Sequence, residues 1–363
     1  MAMVNVEELA SKVASLEKII EQQRKDISIL KTNRHERAGI VLFSLNASRD
    51  FGERVAVKLG MELSEHREKY HPDGEIYLRP LVNVRRKSVF VIQSLYGDNT
   101  ESVNDKLKKL EFFVGALRDA SAAEITLIVP KLAYDRSDRK CKSREPVITK
   151  LVAQCLEALG VDRIITMDVH NLAAYQNSFR DCRADHLECR FPVCDYLKNE
   201  LSKYKPSDIG ILACDLGGIH RCEDAQDTLS SRLGEEIGVA AVQKKRVNGI
   251  VRADKIIGDV RPVMILWDDV IASAGTMNLA MTLAVKQSVK HLYIVAPHGL
   301  FVGDANKNLD FEKLTQLIIT DTVEPFRLNE KNLQKTVSVS VAPLFAEAIR
   351  RSYSGESLSD LFS

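Results

Sequence analysis

From residue 39 onward, short apolar runs alternate with longer stretches in which apolar side chains recur every three or four positions. The runs at 39–43, 88–92, 124–129 and 163–168 read as strands, and 49–59, 103–120 and 147–159 as helices. The scheme repeats with strands at 209–213, 239–242, 263–267 and 292–296, and helical patterns at 277–286 and 344–351. Continuous apolar strands separated by helices predict mostly parallel sheets covered on both faces. Two similar α/β units then pack together, with a ligand site in the cleft between them.

Residues 5–33 follow a different period. Val6, Val13, Ile20 and Ile27 repeat every seventh position, as do Leu9, Leu16, Gln23 and Leu30, without Gly or Pro. β-Branched residues at one seam position and Leu at the other predict a parallel two-stranded coiled coil, with Lys12 and Glu17 placed to pair across it. An amphipathic helix lying on its own globular body is the competing reading. Residues 33–37 form a polar linker.

Composition narrows the classes. The chain has 363 residues, 45% of them hydrophobic, and a net charge of +1. Two ordinary domains are expected, and a protein that coats nucleic acid is not. No apolar run approaches the length of a membrane span, and the charged first thirty residues lack the apolar centre of a signal peptide. The seven cysteines contain no Cys-x-x-Cys pair. The spacing of Cys182, Cys189, Cys194 and His186 fits no standard zinc pattern. Reduced thiols in a cytoplasmic protein are the expectation.

The candidate chemistry sits at strand ends. After the run 263–267 come Asp268 and Asp269, then the small residues Ala272, Ser273, Ala274, Gly275 and Thr276, then a helical pattern. Paired acids there suit Mg²⁺ or sugar hydroxyls, and small residues let backbone N–H groups approach a phosphate. A solvated strand end is the bland reading of the same residues. The stretch after Val129 carries Arg136, Asp138, Arg139, Lys140, Lys142 and Arg144, which reads either as a solvated loop or as a polyphosphate clamp. Asp168 and His170 close one strand, and Asp215 with Gly217 and Gly218 closes another. Lys244 and Arg246 follow the run at 239–242, and His71 to Glu75 form a turn with Asp73 and Gly74.

Taken in order, these parts resemble the ribose-phosphate diphosphokinase (PRPP synthetase) family from about Gly39 to Phe362. The resemblance rests on the Asp-Gly-Glu turn, the basic loop, Asp-x-His, Asp-x-Gly-Gly, Lys-x-Arg and the Asp-Asp loop. The stretches from His298 to Phe301, from Ala346 to Arg351 and after Gly355 add to it. It implies two tandem type I phosphoribosyltransferase-like α/β domains with mostly parallel sheets. The expected division is 1–36 as arm and linker, 37–187, 188–340 carrying the PRPP loop, and a C-terminal helix over 341–363 packing back on the first domain.

The implied reaction moves diphosphate from ATP to ribose 5-phosphate, giving PRPP and AMP for nucleotide synthesis. By the family pattern, Asp73, Glu75, Arg136, Asp138, Arg139 and His170 bind ATP, and Lys244 with Arg246 is catalytic. Asp215, Asp268, Asp269 and residues Ala272, Ser273, Ala274, Gly275 and Thr276 take ribose 5-phosphate, while His170, Asp215, Asp268 and Asp269 hold Mg²⁺. A dimer-based homo-oligomer, tetramer or hexamer, is implied, with a further contact through 5–33 and no nucleic-acid or membrane partner.

Four features depart from the family pattern. Ala272 and Ser273 stand where Asp and Thr are common, Ser137 where Gln is usual, and His71 where Phe is usual. A segment from Asn171 to Asn177 replaces a Gln-rich helix. A catalytically weak or inactive regulatory subunit of such a synthetase is therefore the second reading, and a simple base phosphoribosyltransferase the third. Retention of His170, Asp215, Lys244, Arg246, Asp268 and Asp269 favours the active enzyme.

Overall fold

Ile40–Ser44 (β1) is buried along its whole length, as a strand covered on both faces must be. The computed structural model describes residues 39–247 and 250–362, without the side chains of 244–254. The heptad arm at 5–33 lies outside the described residues. After β1 come the helix Arg49–Leu59 (α1) and a hairpin of His66–Tyr70 (β2) and Ile76–Pro80 (β3). Ser88–Ile92 (β4), Val103–Asp119 (α2), Glu124–Val129 (β5) and Ile148–Ala158 (α3) follow. Arg163–Met167 (β6), Leu172–Gln176 (α4), Arg183–Leu187 (β7) and Arg190–Glu200 (α5) complete the first half.

β1, β4, β5, β6 and β7 form one parallel sheet in that order. α2 begins with a capping box in which Ser102 and Asp105 each satisfy the other's backbone N–H. α1 stops at Gly60, whose φ of 63° is the left-handed conformation glycine adopts freely.

The second half opens with Ile209–Ala213 (β8), Ile219–Leu233 (α6), Gly238–Val247 (β9) and Ile250–Gly258 (β10). Val263–Trp267 (β11), Val270–Ile271 (β12), Gly275–Lys286 (α7), His291–Val295 (β13) and His298–Gly299 (β14) come next. Ala305–Leu309 (α8), Leu314–Thr320 (β15), Glu330–Gln334 (α9), Thr336–Val339 (β16) and Ala342–Ser354 (α10) end it. The sheet order is β10-β9-β8-β11-β13-β15-β16, parallel except where β10 runs against β9.

The strand patterns at 88–92, 124–129, 209–213 and 263–267 coincide with β4, β5, β8 and β11. The run at 163–168 stops one residue early because Asp168 turns out of the strand with φ of 41°. β9 is longer than 239–242 because its polar end pairs with β10. One hydrophobic core joins the two sheets. Leu42, Phe51, Ile165 and Leu187 of the first half share it with Ile211, Leu229, Ile265 and Phe345 of the second. α10 lies on α1, where the rings of Phe345 and Phe51 meet edge to face at 5.6 Å. Separate cores cover the far face of each sheet under α2 and α3 and under α7.

Candidate functional site

The carboxyl ends of β6, β8 and β11 face one cleft of about 380 Å³, walled by residues of both halves. Open parallel sheets place ligand sites there. From the first half come Arg136, Asp138, Arg139, His170 and Asn171. From the second come Asp215, Gly217, Gly218, Arg221, Asp268 and Asp269, and the loop from Ala272 to Thr276.

His170 reaches the cleft because β6 ends abruptly. Asp168 adopts a left-handed φ, sparsely populated for a non-glycine residue, and its Oδ2 accepts the Cys189 N–H at 2.9 Å. This turns the chain so that His170 Nδ1 lies 2.9 Å from Asp269 Oδ2 across the cleft. A second brace stands behind them. His298 is fully buried, with Nε2 3.0 Å from the Met167 carbonyl and Nδ1 2.8 Å from Thr322 Oγ1. Burial pushes its pKa down to about 3, so the ring is neutral and donates from Nε2 to Met167.

The acidic pair is electrically strained. Burial and the adjacent charge of Asp269 push Asp268 up to about 7. Burial acts the same way on Asp269, but the His170 bond and the Arg221 charge hold its carboxyl well below the usual range. The Asp269 N–H also donates to Asp268 Oδ1 at 2.9 Å. The Asp269 bond in turn raises the His170 pKa, against the opposing effect of burial.

Arg221 is a member of this site to which motif spacing assigns no role. Its guanidinium lies 3.5 Å from Asp269 and 3.7 Å from Asp268, and donates to the His170 carbonyl at 3.5 Å. Burial alone would lower its pKa; the carboxylates of Asp269, Asp168 and Asp268 outweigh this and raise it. One sequence signal was available. A cation in the first turn of a helix opposes the macrodipole and needs a compensating anion.

The Ala272–Thr276 loop ends in Ala274 at φ 57°, and α7 begins at Gly275 with no side-chain cap. Its first N–H groups are therefore free for an anion at the cleft wall. Asn308 Nδ2 pins the loop by donating to the Ser273 carbonyl at 2.8 Å. Opposite, the basic loop is rooted by a buried ion pair between Lys131 and Asp135 at 2.7 Å.

Other sequence-predicted residues stand differently. Asp215 turns its Oδ1 onto the N–H groups of Gly217 and Gly218 at 3.0 and 3.2 Å. Asp73 and Glu75 sit exposed at the tip of the β2–β3 hairpin, outside the lining of this cleft. Lys244 and Arg246 lie on β9 opposite Ala253 and Val251 of β10, and their side chains are outside the described residues.

The acidic pair fits a divalent cation by its donor chemistry. Two hard carboxylates, one of them forced toward protonation by the other, gain from a nearby positive charge. Among the described residues, no group of three or more His, Cys, Asp or Glu converges on one point, so the predicted four ligands share a wall without forming a closed cage. All seven cysteines are free, and no helix among the described residues is long and apolar enough to cross a membrane.

Comparisons with known proteins place the chain in one family. The model for the N-terminal domain of ribose phosphate pyrophosphokinase matches residues 40–160, and that for the phosphoribosyl synthetase-associated domain matches 226–363. The ribose-phosphate pyrophosphokinase of Bacillus caldolyticus is 34% identical over 323 residues, 88% of this chain and 97% of its own. Ribose-phosphate pyrophosphokinase A of Dictyostelium discoideum is 31% identical over 325 residues, 89% of this chain and 98% of its own. The crystal structure of phosphoribosylpyrophosphate synthetase from Mycobacterium smegmatis superposes with a TM-score of 0.76 at 28% identity, covering 87% of this chain and 99% of that one.

Proposed function

The chain belongs to the ribose-phosphate pyrophosphokinase family, and on that premise we propose that it transfers diphosphate from ATP to ribose 5-phosphate, giving PRPP and AMP. The observation that carries this reading is that the His170–Asp269–Arg221–Asp268 cluster and the N-terminus of α7 line one cleft together.

The loop from Ala272 to Thr276 would take the 5-phosphate through its N–H groups and the Ser273 and Thr276 hydroxyls. Asp268 and Asp269 would then hold the ribose hydroxyls, with the 1-hydroxyl pointed at the ATP. Its oxygen attacks the β-phosphorus in line. The bond from that phosphorus to the bridging oxygen breaks, AMP leaves with that oxygen, and the hydroxyl proton passes to water. Arg136 and Arg139 would lie over the triphosphate, with Asp138 between them, and Lys244 and Arg246 would face the charge that builds on the moving diphosphate.

Mg²⁺ would supply charge neutralisation for the phosphates, with His170 and Asp215 holding the ion on ATP and Asp268 and Asp269 holding a second ion at the ribose hydroxyls. The residues themselves contribute positioning. Arg221 places a positive charge beside both carboxylates and opposes their protonation, and His298 fixes the strand end that carries His170. Asp73 and Glu75 reach ATP only if the hairpin tip of one copy extends to the cleft of another, which favours a homo-oligomer. Free thiols at all seven cysteines fit a reducing, cytoplasmic setting.

AMP release from ATP, Mg²⁺ and ribose 5-phosphate tests the proposal, with Lys244→Ala as control. Sugar-dependent AMP that is lost in the variant is the expected result. ATP binding without AMP formation, with or without added phosphate, would overturn it.

A further inference from the structure

The β2–β3 hairpin joins neither main sheet. β2 reads His66, Arg67, Glu68, Lys69, Tyr70, with hardly an apolar side chain to bury. An isolated two-stranded hairpin is marginal in water, so its placement has to come from the body. β3 packs Leu78 on the core of the first half, whereas the contact of β2 is ionic and dry. The Glu68 side chain, 2% exposed, accepts from Lys109 Nζ of α2 at 2.6 Å and from the Asn46 N–H at 3.0 Å. His66 Nε2 lies 3.3 Å from the same carboxylate, its ring packed edge-on to Phe43 and Phe113. Lys109 also pairs with Glu101 and lies 4.4 Å from the Tyr70 ring centre.

We propose that Glu68 and Lys109 are positioning residues that set the direction of the hairpin tip, Asp73 and Glu75, and thereby the affinity of the enzyme for ATP. The inference rests on the reading of that tip as an ATP contact. A buried ion pair adds little net stability compared with apolar groups of the same size, but it has a direction, which apolar contacts lack. Burial opposes ionisation of Glu68, yet its His66, Asn46 and Lys109 partners bring it down to about 2, so the anchor stays charged at any working pH. The turn beyond it is stiff. Gly74 at φ 91° lets His71 and Glu75 close on each other, and Glu75 N–H donates to Asp73 Oδ1 at 3.1 Å. A tilt at the anchor is therefore carried to the tip.

The test compares Glu68→Gln, Lys109→Met and the double variant Glu68→Met/Lys109→Met with Asp73→Asn/Glu75→Gln, reading Tm, kcat and both KM values on the full-length protein. Each single variant should lower Tm, and the apolar double should recover it. In the double, KM for ATP should stay raised about tenfold, with kcat and the KM for ribose 5-phosphate within about twofold of the unaltered enzyme. An apolar double that restores both Tm and the ATP KM would reduce the cluster to filler and overturn the inference, whether or not the singles fold. If the tip variant itself leaves the ATP KM unchanged, the reading of the hairpin as an ATP contact fails first, and the inference falls with it.

Discussion

Replacing Asp268 by Asn should make the metal-free protein more stable while abolishing its activity. Asp268 is pushed up to about 7 by burial and by Asp269. That is roughly three units above an ordinary carboxyl, and at about 1.36 kcal/mol per unit it sets a ceiling of ~4 kcal/mol on the cost of ionising it. The side chain is 27% exposed, so solvent screening leaves about half of this, ~2 kcal/mol. An acid whose folded-state pKa exceeds its unfolded value binds more protons when folded. Stability then falls as pH rises from about 4 to about 7. Asn carries no charge to ionise and keeps the oxygen that accepts the Asp269 N–H. With an unfolding entropy near 2.1 cal/mol/K per residue, a gain of ~2 kcal/mol at pH 8 raises Tm by about 3 °C. At pH 5 the gain should shrink to about a third of that. Scanning calorimetry in EDTA at both values measures it, and AMP release should fall at least about 100-fold. A variant less stable than the parent at pH 8, or a gain independent of pH, would refute the charge argument.

Three further outcomes are expected. Arg221→Met leaves Asp269, 4% exposed, with His170 as its remaining counter-charge among the described residues, and should cost ~3 kcal/mol in thermal unfolding without metal; Arg221→Lys should recover part of it. Lys244→Ala should leave Tm and calorimetric ATP affinity nearly unchanged while turnover drops about 100- to 1000-fold; an unchanged rate rejects the assignment. Deleting residues 1–35 should lower the subunit number seen by light scattering and leave a dimer or larger body. The same mass and thermal midpoint after deletion would show that the arm is no assembly device.

The buried strands were the most legible part of the fold, because a strand covered on both faces must be apolar throughout, as β5, β8 and β11 are. β10 was not, since its pairing with β9 is antiparallel and carries Arg252, Asp254 and Lys255. α8 and α9 are five residues each, too short to show a helical period. At the site, motif spacing singles out His170 and Asp269 separately, and the cleft brings them together. Motif spacing gives Arg221 no role because its partners are distant in sequence, and a cation's value depends on which carboxylates it meets. The exposed placement of Asp73 and Glu75 was equally invisible, since a turn motif does not say which way its hairpin leans.

The contact of α10 with α1 has a consequence for how the chain is made. Phe51 belongs to the first helix after β1, and the ring that covers it, Phe345, belongs to the last α-helix. During synthesis at about 5–20 residues per second, the earlier helix emerges long before its cover exists. The shared core also includes Leu42, Ile165 and Leu187, whose partners lie in the second half. A nascent first half thus holds an apolar face open to chaperones or to misassociation until the whole chain leaves the ribosome. A chain severed between the halves would leave each fragment with a face it cannot cover alone.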